Sequence, residues 1–368
     1  MNPVRLALVG LGNMGAGHAR RVVAGEIPGL QLAAVCDPSA EARSAFPDAR
    51  PFADAADFFR APDIDAVLIA TPHYSHRPLS VAALAAGLHV LVEKPVAVQA
   101  GEFDELRAAA NAHPQQVFAA VFNQRTDPAY QKIRALLCDG TLGAVRRWQW
   151  TITDWFRPDC YYRLGSWRAT WAGEGGGILV NQCPHNLDLT WWFFGAPSRV
   201  RAHCHFGKHH GIEVEDEVTA YLEYPGGATG VFIASTGEAP GTNRLEIAGD
   251  NGRLVFERGR LTFTRNLVAA AEFSRTATQP FSAPATEEHV EDFPDRGPQH
   301  AGILADFAAA IRESRPPLAP ALEGLHSVAL ANAMLLSTWE DRTIDFPLDT
   351  AAYARALDAK IAASAPKT

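Results

Sequence analysis

The chain has 368 residues, enough for two ordinary domains. It is 47% hydrophobic and 20% charged, the balance of a globular protein with an ample core. Its net charge of −8 argues against nucleic-acid or anionic-membrane partners, which favour basic surfaces.

Val4–Val9 reads as a buried strand that runs into Gly10-Leu11-Gly12-Asn13-Met14-Gly15, a G-x-G-x-x-G turn followed by a helical stretch over 18–24. Gly10 allows the tight turn, Gly12 lets a pyrophosphate approach the backbone, and Gly15 lets the helix pack against the strand. The pyrophosphate would rest on the helix N-terminus, at Asn13 and Met14. The apolar run Leu30–Cys36 then ends at Asp37, 22 positions beyond Gly15 (37 − 15). An acid there accepts hydrogen bonds from the adenosine ribose hydroxyls and repels the extra phosphate of NADP. NAD is therefore the expected cofactor, with NADP second. The other reading of Asp37 is a turn residue before Pro38.

Strands over 66–70, 89–92 and 117–122 alternate with helices over 78–87 and 101–112. That alternation predicts a doubly wound α/β domain with a parallel sheet and right-handed crossovers. Thr71, Pro72, His76, Lys94 and Asn123 fall at or just beyond carboxyl ends of strands, the edge where such sheets bind ligands. The sharpest stretch is Val90-Leu91-Val92-Glu93-Lys94-Pro95. Pro95 cannot join a ladder, so the strand stops and leaves Glu93 and Lys94 at that edge. A lysine there can act on a substrate hydroxyl or carbonyl; the alternative is a solvated ion pair. Glu93 is assigned to orienting the strand end or the cofactor.

Four stretches together resemble the glucose-fructose oxidoreductase / inositol dehydrogenase family, Gfo/Idh/MocA. They are the glycine turn, Ala70-Thr71-Pro72 with His76, Ala86-Gly87-Leu88-His89-Val90 running into Glu93-Lys94-Pro95, and a later glycine run ending in His185-x-x-Asp188. The resemblance covers nearly the whole chain. It implies an NAD(P)-dependent oxidoreductase acting on sugars, cyclitols or related polyols. It also implies a Rossmann domain, placed over 1–123, and an α+β domain over 124–368. The second domain would have an open, mainly antiparallel sheet that covers the nicotinamide and often forms an oligomer interface.

Beyond a helix over 128–139, seven of the eight tryptophans lie between Trp148 and Trp192. Most are expected to be packing; Trp155, Trp167 and Trp171, in a loop-like stretch, are the candidates for stacking on a sugar. Next comes Gly175-Gly176-Gly177, where backbone can approach a ligand closely. A helix follows, with Pro184 tolerable only near its start. Asn181, His185 and Asp188 are spaced i, i+4, i+7 and are expected to share one helix face and contact substrate. The resemblance makes His185 the general base, and a helix N-terminus favours its neutral form. It also puts Asn181 where the family carries an aspartate. Asparagine can hold a hydroxyl or orient the imidazole but carries no negative charge. The resemblance further places Arg168 near substrate or cofactor, and Arg157, Tyr161 and Tyr162 are candidates for shaping specificity.

Strands over 199–206, 218–224, 229–234, 245–248 and 253–256 make the second sheet. Its uncovered face suits a homo-oligomer interface. His203, His205, His209 and His210 tempt a metal reading, but no acid or cysteine completes a ligand spacing, so no metal is expected. The segment 273–298 reads as irregular, and helices follow over 299–313, 320–337 and 351–363.

The five cysteines are odd in number and contain no Cys-x-x-Cys pair, which suits a reducing cytosol. No stretch approaches the roughly 20 apolar residues of a membrane helix, and Met1 to Gly10 lacks the core of a signal peptide. The chain thus reads as a cytoplasmic polyol or sugar dehydrogenase with a small-molecule substrate. Two alternatives stay open: a glycoside-processing enzyme that oxidises transiently with bound NAD, and a non-catalytic nucleotide sensor.

Overall fold

The computed structural model describes residues 2–61, 63–165 and 167–364. They form two compact units. The first runs to Thr126 and includes Ala172–Gly175 and Pro298–Ala329. Its strands are β1 (Val4–Val9), β2 (Leu30–Cys36), β3 (Arg50–Phe52), β4 (Ala66–Ile69), β5 (His89–Val92) and β6 (Phe118–Ala120). All pairs are parallel and the order is β3-β2-β1-β4-β5-β6. This is the dinucleotide-binding order, with the ligand edge at the strands' carboxyl ends. Leu6, Leu8, Leu68 and Leu91 are fully buried, as strands covered on both faces require. β3 escapes the sequence pattern because it has three residues, one of them Pro51, which only an edge strand accepts. The segment 298–329 contributes the helix Gln299–Glu313 to this unit.

The second unit holds β7 (Val145–Ile152), β8 (Arg199–Phe206), β9 (Glu215–Glu223), β10 (Thr229–Ser235), β11 (Asn243–Gly249), β12 (Gly252–Glu257), β13 (Arg260–Asn266), β14 (Thr286–Asp292) and β15 (Ile344–Asp345). They form one sheet in the order β14-β13-β12-β11-β7-β10-β9-β8-β15. Only the β7–β10 pair is parallel. The period-2 pattern of β7 puts Trp148, Trp150 and Ile152 on the buried face. There Trp148 stacks on Phe194 at 4.8 Å and Trp150 lies 5.8 Å from Tyr130, so both indoles are packing. The opposite face carries ion pairs such as Arg244–Glu246 at 2.7 Å.

The segment 273–298 is not irregular throughout. It contains β14, whose sequence Thr-Glu-Glu-His-Val-Glu-Asp has no apolar alternation to betray it. The ladder to β13 and the cross-strand pairs Arg260–Asp292 (2.7 Å) and Arg265–Glu287 (3.0 Å) hold it instead.

Gly230 of β10 faces Trp148 across the parallel pair, and a Cβ there would sit 2.2 Å from the indole. Gly230→Ala is therefore expected to destabilise the chain by about 1–3 kcal/mol through overpacking. A urea midpoint unchanged from wild type would contradict this packing account.

Candidate active site

In the first unit the glycine turn is pressed onto the end of β4. Gly10 has φ +89°, and a Cβ there would lie 2.6 Å from the Ala70 carbonyl oxygen. A Cβ on Gly15 would lie 1.8 Å from the Gly10 carbonyl oxygen, so the helix Asn13–Val23 packs directly on the turn. Gly12 differs: a Cβ there meets nothing within 4 Å. Nothing in the fold demands glycine at 12, whereas close approach of a ligand does. The helix starts without a side-chain cap on its first amides, the arrangement that receives a phosphate. Asp37 accepts the Leu11 amide through Oδ2 and the Ser39 amide through Oδ1, both at 2.8 Å, which fixes its carboxylate beside the turn. Thr71 Oγ1 and Asn123 Oδ1 are buried without a hydrogen-bond partner. Open space at Gly12, an uncapped helix start and orphaned polar atoms at strand ends fit a bound dinucleotide. Gly12, Asn13 and Met14 would take the pyrophosphate and Asp37 the ribose.

Lys94 is half-buried just past β5, and its amide donates to Glu93 Oε2 at 3.2 Å. Glu93 is 5% exposed and its Oε1 lies 2.8 Å from Nε2 of the fully buried His18. Burial works to raise the Glu93 pKa. The His18 bond and the nearby Lys94 and His300 outweigh it and hold the carboxyl at about 2. The His300 ring is 5.5 Å from His18, and burial pushes its pKa down to about 4. His76 is buried, with Nδ1 and Nε2 each 2.7 Å from a carbonyl, those of Pro95 and Thr71. Its ring straps the end of β4 to the residues after β5, and burial lowers its pKa. Sequence reasoning missed His18 and His300. His18 sits three residues past Gly15 on the helix that packs the turn, which is a usable signal; His300 comes from far along the chain and has none.

In the second unit a Cβ on Gly177 would lie 2.0 Å from the Glu215 carbonyl oxygen, so the glycine run abuts β9. The Gly177 and Leu179 amides donate to Glu215 Oε1 at 2.9 and 3.0 Å. The expected single helix face is not continuous. A one-turn helix, Ile178–Asn181, ends at Gln182, and a second helix, Pro184–Phe194, starts after Cys183. Pro184 has no N–H to give the preceding turn, so the helix restarts with proline in its first position. His185 and Asp188 lie in the first turns of the second helix, 8% and 1% exposed, while Asn181 closes the first.

Tyr161 Oη accepts Arg168 Nη1 at 3.0 Å and Nε2 of Gln182, the residue after Asn181, at 3.3 Å. The Arg168 guanidinium lies over Tyr161 and Trp167, and that of Arg157 over Trp155 and Tyr161. Trp155 is half-buried in this group. Trp171 is 4% exposed and packs edge-on to Trp339 at 5.4 Å, so it belongs to the core. His210 pairs with Asp216 and exposed His209 with Glu217, and no metal-holding cluster occurs among the described residues. No described helix is long and apolar enough to cross a membrane.

Residues 4–121 match the family model described as an oxidoreductase family with an NAD-binding Rossmann fold, and residues 130–255 match the GFO/IDH/MocA C-terminal domain. The chain is 33% identical to bovine (Bos taurus) trans-1,2-dihydrobenzene-1,2-diol dehydrogenase, over 52% of its own length and 54% of that protein. It is 27% identical to levoglucosan dehydrogenase of Pseudarthrobacter phenanthrenivorans, over 71% of its length and 75% of the other. Several curated relatives are matched over less than two thirds of their own length, between 50% and 62%. The fold is shared with the WlbA dehydrogenase of Bordetella pertussis, solved with NADH and UDP-GlcNAcA. That match has TM-score 0.78 and 24% identity, and covers 95% of this chain and 100% of that one.

The His300 and Glu93 shifts fix how stability responds to acid. Folding depresses His300 from the ordinary ~6.5 to about 4, so its contribution is complete above ~6.5 and is lost as pH falls toward 4. Glu93, depressed to about 2, adds a second loss below the ordinary ~4.3. Cofactor-free protein should therefore lose up to about 3 kcal/mol between pH 7 and 4 through His300. His300→Gln should flatten that slope in denaturant titrations at stepped pH; an unaltered slope would contradict the assignment.

Proposed function

Because the chain belongs to the Gfo/Idh/MocA family of NAD-binding oxidoreductases, we propose that it transfers hydride between a sugar, cyclitol or related polyol carbinol and the nicotinamide. The observation that carries this reading is Lys94. Its ammonium-bearing side chain extends from the carboxyl end of β5, and its amide rests on a buried, ionised Glu93. NAD, when bound, supplies the hydride acceptor. Lys94 holds the reacting hydroxyl and stabilises the negative charge that develops on its oxygen. His185 takes the hydroxyl proton as general base. Asn181 and Asp188 orient the sugar hydroxyls or the imidazole, and Asn181 does so without adding charge. Trp155 offers a ring face to the sugar and Arg168 a donor. The dihydrodiol and levoglucosan dehydrogenases among the relatives support a carbinol substrate. Tyr221, 44% exposed on the outer face of the second sheet beside its ladder partner Val231, supports assembly into a homo-oligomer through that face, and five free cysteines support a reducing, cytoplasmic setting.

Lys94→Ala and His185→Ala should each lower kcat by about 10²–10⁴-fold in nicotinamide-absorbance assays over a panel of sugars and inositols. Near-normal turnover by correctly folded variants would remove these roles. Asp37→Ala should shift the NADP/NAD ratio of kcat/KM upward by about tenfold or more, a change of ~1.4 kcal/mol. An unchanged ratio would show that Asp37 does not select the cofactor.

A further inference from the structure

We propose that Arg157, Arg168 and Tyr161 form a receptor for an oxyanion, so that the substrate is a carbohydrate carrying a carboxylate or a phosphate ester. The inference deepens the dehydrogenase reading and rests on it for the carbohydrate.

Three observations within the second unit lead there. First, Arg157 makes no ion pair among the described residues. Its Nη1 donates to the Phe156 carbonyl at 2.9 Å, and its Nε is buried with no hydrogen-bond partner. A permanently charged group half-withdrawn from water without a counter-charge is unfavourable until an anion completes it. Second, the hydroxyl of Tyr161 already accepts two donors, Arg168 Nη1 and Gln182 Nε2. Its own proton is left to give to a ligand acceptor. Arg157 and the Tyr161 hydroxyl therefore present donors, and a group made only of acceptors matches them.

Third, the position of Arg157 is built from beneath. Its amide donates to the Thr236 carbonyl at 2.9 Å and its carbonyl accepts His210 Nε2 at 2.8 Å. His210 Nδ1 in turn lies 3.0 Å from Oδ2 of Asp216, which is fully buried and also takes the amides of Lys208, His209 and His210. The guanidinium rests on the rings of Trp155 and Tyr161, at 5.3 and 5.0 Å. These contacts hold the backbone of a residue whose guanidinium makes no ion pair among the described residues. Gln182, which donates to Tyr161, lies three residues before the proposed base His185 in the chain.

The test is calorimetric titration of the NADH-loaded full chain with D-glucose, D-glucuronate and D-glucose 6-phosphate, at two salt concentrations. At least one anion should bind tenfold or more tightly than glucose, with the advantage shrinking at high salt. Glucuronate alone gaining would name a carboxylate; the phosphate ester alone gaining would name a phosphate. Arg157→Gln should abolish most of that advantage, and Tyr161→Phe, which keeps the ring under the guanidinium, should reduce it. Equal binding of glucose and both anions, no binding of either anion, or an advantage that survives both variants would overturn the proposal. The two readings fail separately. Anion binding without NAD-linked turnover would contradict the dehydrogenase and leave the receptor standing. Turnover with no preference for acidic sugars would do the reverse.

Discussion

Glu93 is a carboxylate with almost no access to water, held ionised between the ring of His18 and the amide of Lys94. Burying a charge of this kind costs several kcal/mol unless it is paired, and removing one partner of such a pair costs about 3–5 kcal/mol. The pairing is therefore a constraint rather than an ornament. His18 belongs to the helix that the glycine turn starts, and Lys94 follows directly on β5. One side chain thus sets the spacing between the glycine turn and the lysine assigned to the substrate. His76 adds a second tie, from the loop after β4 to the Pro95 carbonyl.

The second unit repeats the device with two adjacent carboxylates at the start of β9. Both Glu215 and Asp216 are fully buried, and successive strand residues point to opposite sides. Glu215 caps the glycine run that leads to His185, and Asp216 braces His210 and, through it, the backbone of Arg157. One strand end therefore positions both the proposed base and the proposed anion receptor.

Much of the first unit was legible because its signals are local. A strand, three spaced glycines and Asp37 identify the nucleotide fold, and the apolar runs of β4 and β5 place Lys94 at the right edge. Asp37 is legible as a ribose ligand, whereas its bonds to the Leu11 and Ser39 amides appear only once the turn is folded. Elsewhere the signals were too weak or too distant. β14 has no apolar alternation, and its partner strand, not its own pattern, makes it a strand. The face linking Asn181 to His185 was drawn through Pro184, where a missing N–H restarts the helix. The contacts His18–Glu93 and His210–Asp216 join buried side chains that no spacing rule connects.

In the proposed reaction hydride leaves a carbinol carbon for the nicotinamide. It is tested most directly by incubating the protein and NAD with carbon-deuterated sugars and inositols and reading the NADH formed by mass spectrometry. Hydride transfer from carbon gives NADH one mass unit heavier than that from unlabelled substrate, with formation slowed by the label and suppressed in Lys94→Ala. NADH formed without deuterium, or none from any carbinol in the panel, would contradict it.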